Sequence, residues 1–235
     1  MVKLILITFL LFVSSPILAL ECPEGQYLVS AHPRTSYYRS DGTFVNSANV
    51  ESHCRPYRFN KPLKLLFKNK IPERWPYQLE IFKEWSKLEK KEIEDVISNL
   101  PKSLQELGEI SIYRSVKSSF PNNPSTSGPD ESIIVLYDGA KKSGYTKILV
   151  HELAHILWSK LNSEDRDEYF LNASWDKKIG KYTNSRENFS EVDGKFNPEE
   201  DFANNIEHIL TNKKHNESIP KSIEDCILKI LKGNK

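Results

Sequence analysis

Apolar residues recur along this chain with two different periods. From Tyr77 to Leu100, Leu79, Phe82, Trp85, Leu88, Ile93, Val96, Ile97 and Leu100 stand at roughly helical spacing, which predicts one long amphipathic helix. Leu63–Phe67 and, after Gly108, the alternating Ile110–Tyr113 read as strands. Pro121 to Pro129 reads as a turn-rich loop leading to Ile133–Tyr137, a buried strand bounded by Asp138-Gly139. The segment from Ile148 to Trp158 is apolar except for its histidines and one charge, Glu152, and predicts a buried helix. A polar connection with Trp175, Tyr182 and Phe189 follows. Then Asn197 can cap a helix that has Pro198 in its first position, acids in its first turn, and Phe202, Ile206, Ile209 and Leu210 on a core face. A last helix carries Ile223, Cys226, Ile227 and Ile230, which makes Cys226 a core residue. A strand, a long helix, two further strands and then helices in this order predict an α+β fold with a small mixed sheet and a long backing helix.

The buried helix carries chemistry. Residues 151–155 read His-Glu-Leu-Ala-His, so His151 and His155 lie one turn apart on one face and Glu152 borders it. Two imidazoles so placed can converge on one Zn2+ ion, whose catalytic sites take three protein ligands and keep a fourth position for water. A carboxylate beside that water can take its proton during attack on a peptide carbonyl and pass it to the leaving nitrogen. Glu152 is the candidate base. Burying two histidines and a glutamate without a partner or metal costs several kcal/mol, on the order of a whole domain's reserve, which argues against an incidental pair. A third histidine in the spacing His-x-x-Gly-x-x-His is excluded, because Trp158 and Leu161 hold those positions. The third ligand is therefore sought among Glu199, Glu200, Asp201 and His208 of the later helix.

With both motifs in view, His151-Glu152-Leu153-Ala154-His155 and Pro198-Glu199-Glu200-Asp201-Phe202-Ala203, the chain resembles the gluzincin metallopeptidases. It is most similar to the group around the protease domain of anthrax lethal factor. The resemblance covers residues 145–210. It implies a zincin-like fold, a single catalytic zinc held by His151, His155 and Glu200, Glu152 as general base, and a peptide or protein substrate. It also implies an edge strand beside the metal that pairs with extended substrate, for which Ile133–Tyr137 is the candidate. Two positions depart from the pattern. Asn204 stands where members often carry a further glutamate, and Val192-Asp193-Gly194-Lys195 lacks the tyrosine that supplies an oxyanion donor. Losing one such donor typically costs about 100- to 1,000-fold in rate. Tyr182 and Tyr145 are the candidates to replace it, and a non-catalytic zinc-stabilised binding protein is the rival reading.

The remaining features set the context. The 235 residues carry a net charge of +1, which gives no broad field for nucleic acid or a membrane surface. Lys3, the apolar run Leu4–Val13 and the break ending at Ala19 read as a signal peptide over 1–19, hence a secreted or periplasmic protein. The run is too short for a stable membrane span, and Glu21 before Cys22 argues against lipidation. Residues 20–58 read as a small β-hairpin module turning at Asp41-Gly42 and closed by a Cys22–Cys54 disulfide, a closure contributing about 3–4 kcal/mol. Residues 59–235 form the metallopeptidase domain. The sequons at Asn172, Asn188 and Asn216 matter only in a eukaryotic secretory pathway.

Overall fold

The computed structural model describes residues 26–29, 32–34, 37–38, 44–45, 48–56, 61–70, 75–77, 80–120, 122–128, 132–178, 181–212 and 218–233. The chain divides into two compact units, Met1–Tyr57 and Arg58–Lys235. In the first, β1 (Gln26–Val29) pairs antiparallel with β6 (His53–Pro56), β2 (His32–Arg34) with β5 (Ala48–Val50), and β3 (Tyr37–Tyr38) with β4 (Phe44–Val45). All three ladders share one register, with Val29 opposite His53, Arg34 opposite Ala48 and Tyr38 opposite Phe44. They form three two-stranded ladders. The expected signal peptide, Cys22 and the Asp41-Gly42 turn lie outside the described residues.

The second unit is mixed α+β around a small mixed sheet. The strands β7 (Lys61–Lys68), β8 (Phe82–Lys83), β9 (Leu107–Ser115), β10 (Ser125–Gly128) and β11 (Ile133–Leu136) order as β10-β11-β9-β7, with β8 pairing the end of β9. β9 runs parallel to both β7 and β11, and β10 closes antiparallel on β11. Alternation puts Ile110, Ile112, Ile134 and Leu136 into the main core, and Tyr113, Ile133, Val135 and Tyr137 into a second cluster with Trp75. A sheet buried on both faces reads as continuous apolar runs, which is why these strands were visible in the sequence.

Two expectations are corrected, and one connection gains structure. The long helix is α1 (Lys87–Ile97), and it starts at a Ser86 cap whose hydroxyl accepts from Glu89 N while the Glu89 carboxylate accepts from Ser86 N. Upstream of that cap, Phe82 and Lys83 pair with β9, and Leu88 points to solvent. The loop from Pro121 to Pro129 contains β10, so the sheet edge is Ser125–Gly128, and Ile133–Leu136 is internal between β10 and β9. The polar connection after His155 contains α5 (Ser163–Asn172), capped by Asn162, and a hairpin of β12 (Trp175–Lys178) and β13 (Lys181–Asn184). The remaining helices are α2 (Lys102–Gln105), α3 (Asp138–Ser143), α4 (Tyr145–Lys160), α6 (Pro198–Thr211) and α7 (Lys221–Lys232). Among the described residues no helix is long and apolar enough to cross a membrane.

The sheet also holds a buried cation. Arg114 of β9 pairs with Glu89 at 3.3 Å and with Asp138, and donates to the Ser115 carbonyl at 2.7 Å. Tyr145, first residue of α4, donates to the same Glu89 at 3.0 Å. Burial opposes the charge on Glu89, but the Ser86 cap, Tyr145 and Arg114 outweigh it and hold the carboxyl at about 2. One closed network thus joins the starts of α1, α3 and α4 to the sheet.

Candidate metal centre

α4 and α6 pack against each other, and Leu149, Leu153, Phe202 and Ile206 all belong to the main core. Trp158 of α4 stacks on Phe202 with ring centroids 5.1 Å apart, and Phe202 meets Tyr169 of α5 at 5.0 Å. Asn197 caps α6, accepting from Glu199 N at 2.9 Å, with Pro198 in the first turn. These contacts fix the facing sides of both helices before any polar group is considered.

Three ligand-type atoms converge between them. His151 Nε2 and His155 Nε2 are 3.1 Å apart, and Glu200 Oε2 lies 3.6 Å from the first and 3.4 Å from the second. Tetrahedral ligands at ordinary zinc–nitrogen and zinc–oxygen bond lengths of about 2.0–2.1 Å stand about 3.3–3.4 Å from one another. The triangle therefore fits a metal of that size, and two imidazoles with one carboxylate suit zinc better than magnesium or calcium.

The other nitrogen of each ring faces a second carboxylate. His155 Nδ1 meets Glu199 Oε1 at 3.0 Å, and His151 Nδ1 faces Glu207 Oε2 at 3.4 Å. The Glu199 contact fixes the His155 tautomer and turns its Nε2 inward, whereas His151 Nδ1 makes no hydrogen bond and faces Glu207 as a charge alone. Glu207 is buried and also takes Lys147 at 3.0 Å. Burial works against protonating His151, but Glu200 and Glu207 outweigh it and raise its pKa from 6.5 to about 9. For His155, burial is outweighed by Glu199 and Glu200, giving about 10. The two histidines conversely hold the Glu200 carboxyl well below the usual range, against its burial. Without metal, the surrounding carboxylates favour the protonated imidazoles.

Glu152 is buried, and its Oε1 accepts a hydrogen bond from the Ser125 hydroxyl of the edge strand β10. The cluster forms the floor of a cleft of about 1050 Å³ walled by β10, by α4 and by the segment 191–197. Glu191, Asp193 and Glu199 make the cleft acidic, while Val192 and Phe196, 72% and 79% exposed, border it with apolar surface. Gly194 lets the short 3-10 turn Asp193–Lys195 press on α6, since an added Cβ would stand 3.2 Å from Asp201 Cα.

The other sequence candidates sit elsewhere. Asp201 is fully buried and accepts from Tyr169 and Trp175, both at 2.9 Å, from Asn205 at 3.1 Å and from Arg186. It ties the 163–186 segment to α6. His208 meets Glu191 at 3.0 Å. Asn204 donates to Asp193 at 2.7 Å, and Glu207, three residues on, supplies a carboxylate to His151. Tyr145 is spent on Glu89, and Tyr182 packs on Phe170 and Trp175, so neither lines the cleft. Sequence reasoning missed Glu207 and Ser125. Glu207 could have been found, because it lies two turns from Glu200 on the same face of α6; Ser125 carried no signal. The chain matches no protein-family model, no curated protein and no solved structure.

Proposed function

We propose that this chain is an exported single-zinc metallopeptidase of gluzincin type on a zincin-like scaffold, with His151, His155 and Glu200 as ligands and Glu152 as general base. The observation that carries the reading is the triangle of 3.1, 3.4 and 3.6 Å between His151, His155 and Glu200, on a cleft floor that also holds Glu152. When bound, zinc supplies a Lewis acid that polarises a carbonyl and lowers the pKa of water to about 7. Glu199 holds the His155 imidazole in the ligating tautomer, and Glu207 sets a negative charge beside His151 Nδ1. Glu152 takes a proton from the water that attacks the peptide carbonyl. As the C–N bond breaks, Glu152 delivers that proton to the amine nitrogen. Extended substrate pairs with the free edge of β10 rather than with Ile133–Tyr137.

A second reading is a zinc-stabilised exported protein that binds peptides without cutting them. It is favoured by one observation: among the described residues no tyrosine lines the cleft. The two are separated by the new amino termini that appear when a complex, partly denatured protein mixture is treated with zinc-loaded protein. Termini produced by the wild type and absent with Glu152→Gln establish hydrolysis and give its preference. Wild type and variant that both bind zinc, with no termini above the blank, establish the binding protein.

A further inference from the structure

Glu152 meets a side chain that the catalytic scheme does not use. Ser125 lies on β10, is 5% exposed, and directs its hydroxyl at Glu152 Oε1. The geometry points to Ser125 as a positioning residue for the base: it occupies one carboxylate oxygen and leaves proton transfer to the other. This inference rests on the peptidase reading above.

The hydroxyl is held in place from both sides of the strand. Asn123 Oδ1 accepts from Ser125 N at 3.3 Å, and Asn123 Nδ2 donates to Thr126 Oγ1 at 3.1 Å. Thr126, on the opposite face of β10, meets Tyr137 Oη at 3.1 Å, and that hydroxyl meets Glu80, which also accepts from Trp75 Nε1 at 3.0 Å. The edge strand is thereby fixed to the sheet by polar contacts on one face while it restrains the base on the other. A buried carboxylate with one oxygen held has fewer rotamers open to it, and precise placement of a base governs proton-transfer rate more than substrate affinity.

The strand that would bind substrate is then the strand that aims the base. A hydroxyl present only to satisfy a buried carboxylate would affect stability and leave turnover of the folded enzyme alone. A positioning hydroxyl has a different signature.

The test compares Ser125→Ala and Ser125→Thr in the full zinc-loaded protein. Ser125→Ala is expected to lower kcat about 10- to 100-fold while KM and zinc affinity stay within about twofold, and Ser125→Thr, which keeps the hydroxyl, to restore most of the loss. An unchanged kcat, an equal rise in KM, or failure of threonine to rescue folded enzyme overturns the proposal. A second readout is independent of hydrolysis: the infrared carboxylate stretch of Glu152, assigned by its loss in Glu152→Gln, should shift in Ser125→Ala. If the wild type cuts no peptide, the peptidase reading fails by itself. The infrared result then decides whether Ser125 holds the carboxylate, and an unshifted band overturns that.

Discussion

Two buried polar clusters hang on α4, and they are built in opposite ways. At its start, Arg114, Glu89, Asp138 and Tyr145 form a network that contains its own cation, so every carboxylate meets a guanidinium or a hydroxyl. In its middle, His151, His155 and Glu200 turn ring nitrogens and a carboxylate oxygen toward one another, backed by Glu199 and Glu207, and the cation at hand, Lys147, meets Glu207 rather than the three converging atoms. The first cluster is complete without help and serves to fix the helix. The second is incomplete by design of its charges, and its stability depends on what enters it. Burial is common to both; the source of positive charge is what separates them.

The largest effect that would sharpen this contrast is at Arg114. Arg114→Met removes the resident cation and leaves Glu89 buried without it, which is expected to cost about 3–5 kcal/mol in urea unfolding. Zinc stoichiometry of the folded fraction should stay unchanged; loss of zinc in that variant would break the comparison by showing the clusters to be one unit.

Acid titration follows in size. The Glu89 carboxyl falls from 4.5 to about 2 on folding, so its contribution is present above pH 4.5 and is lost as pH drops toward 2. Up to about 3 kcal/mol should disappear over that window, and Glu89→Gln should flatten the acid limb.

The histidine cluster titrates the other way. In metal-free protein the histidine values rise from 6.5 to about 9 and about 10. Their contribution is therefore full below pH 6.5 and lost as pH climbs through 9 to 10. Zinc binding at pH 7 should release protons, seen as a buffer-dependent enthalpy in titration calorimetry. Smallest of all, Glu207→Gln should weaken zinc about 10-fold with folding intact, because it loosens the orientation of His151 and removes no ligand.

Much of the His151–His155–Glu200 cluster was legible because its residues obey helix geometry. The spacing of His151 and His155, the Asn197 cap and Pro198 each report a local rule, and the helices that follow from them begin and end close to where those rules say. The third member of the triangle was narrower to read, since Glu199, Glu200 and Asp201 are consecutive and only packing sorts them: Phe202 turns inward, Asp201 goes to Tyr169 and Trp175, Glu199 goes to the outer nitrogen of His155, and Glu200 faces both Nε2 atoms. What stayed hidden depends on tertiary pairing. Ser125-Thr126-Ser127-Gly128 has poor strand propensity and becomes the sheet edge only because β11 offers it a partner. Phe82 and Trp85 stand at helical spacing from the later apolar residues by coincidence, and the signal that separated them was the Ser86–Glu89 capping box. Arg114 had no sequence signature, since nothing local announces a buried cation whose partners come from 24 and 25 residues away.

Cys226 gives the domain a built-in clock. It is a free cysteine on α7, buried, and burial pushes its thiol up to about 11. At neutral pH almost none of it is thiolate, so alkylating reagents find it both shielded and unreactive. Labelling must then wait for α7 to leave the core, and its rate reads the frequency of that opening on the native molecule.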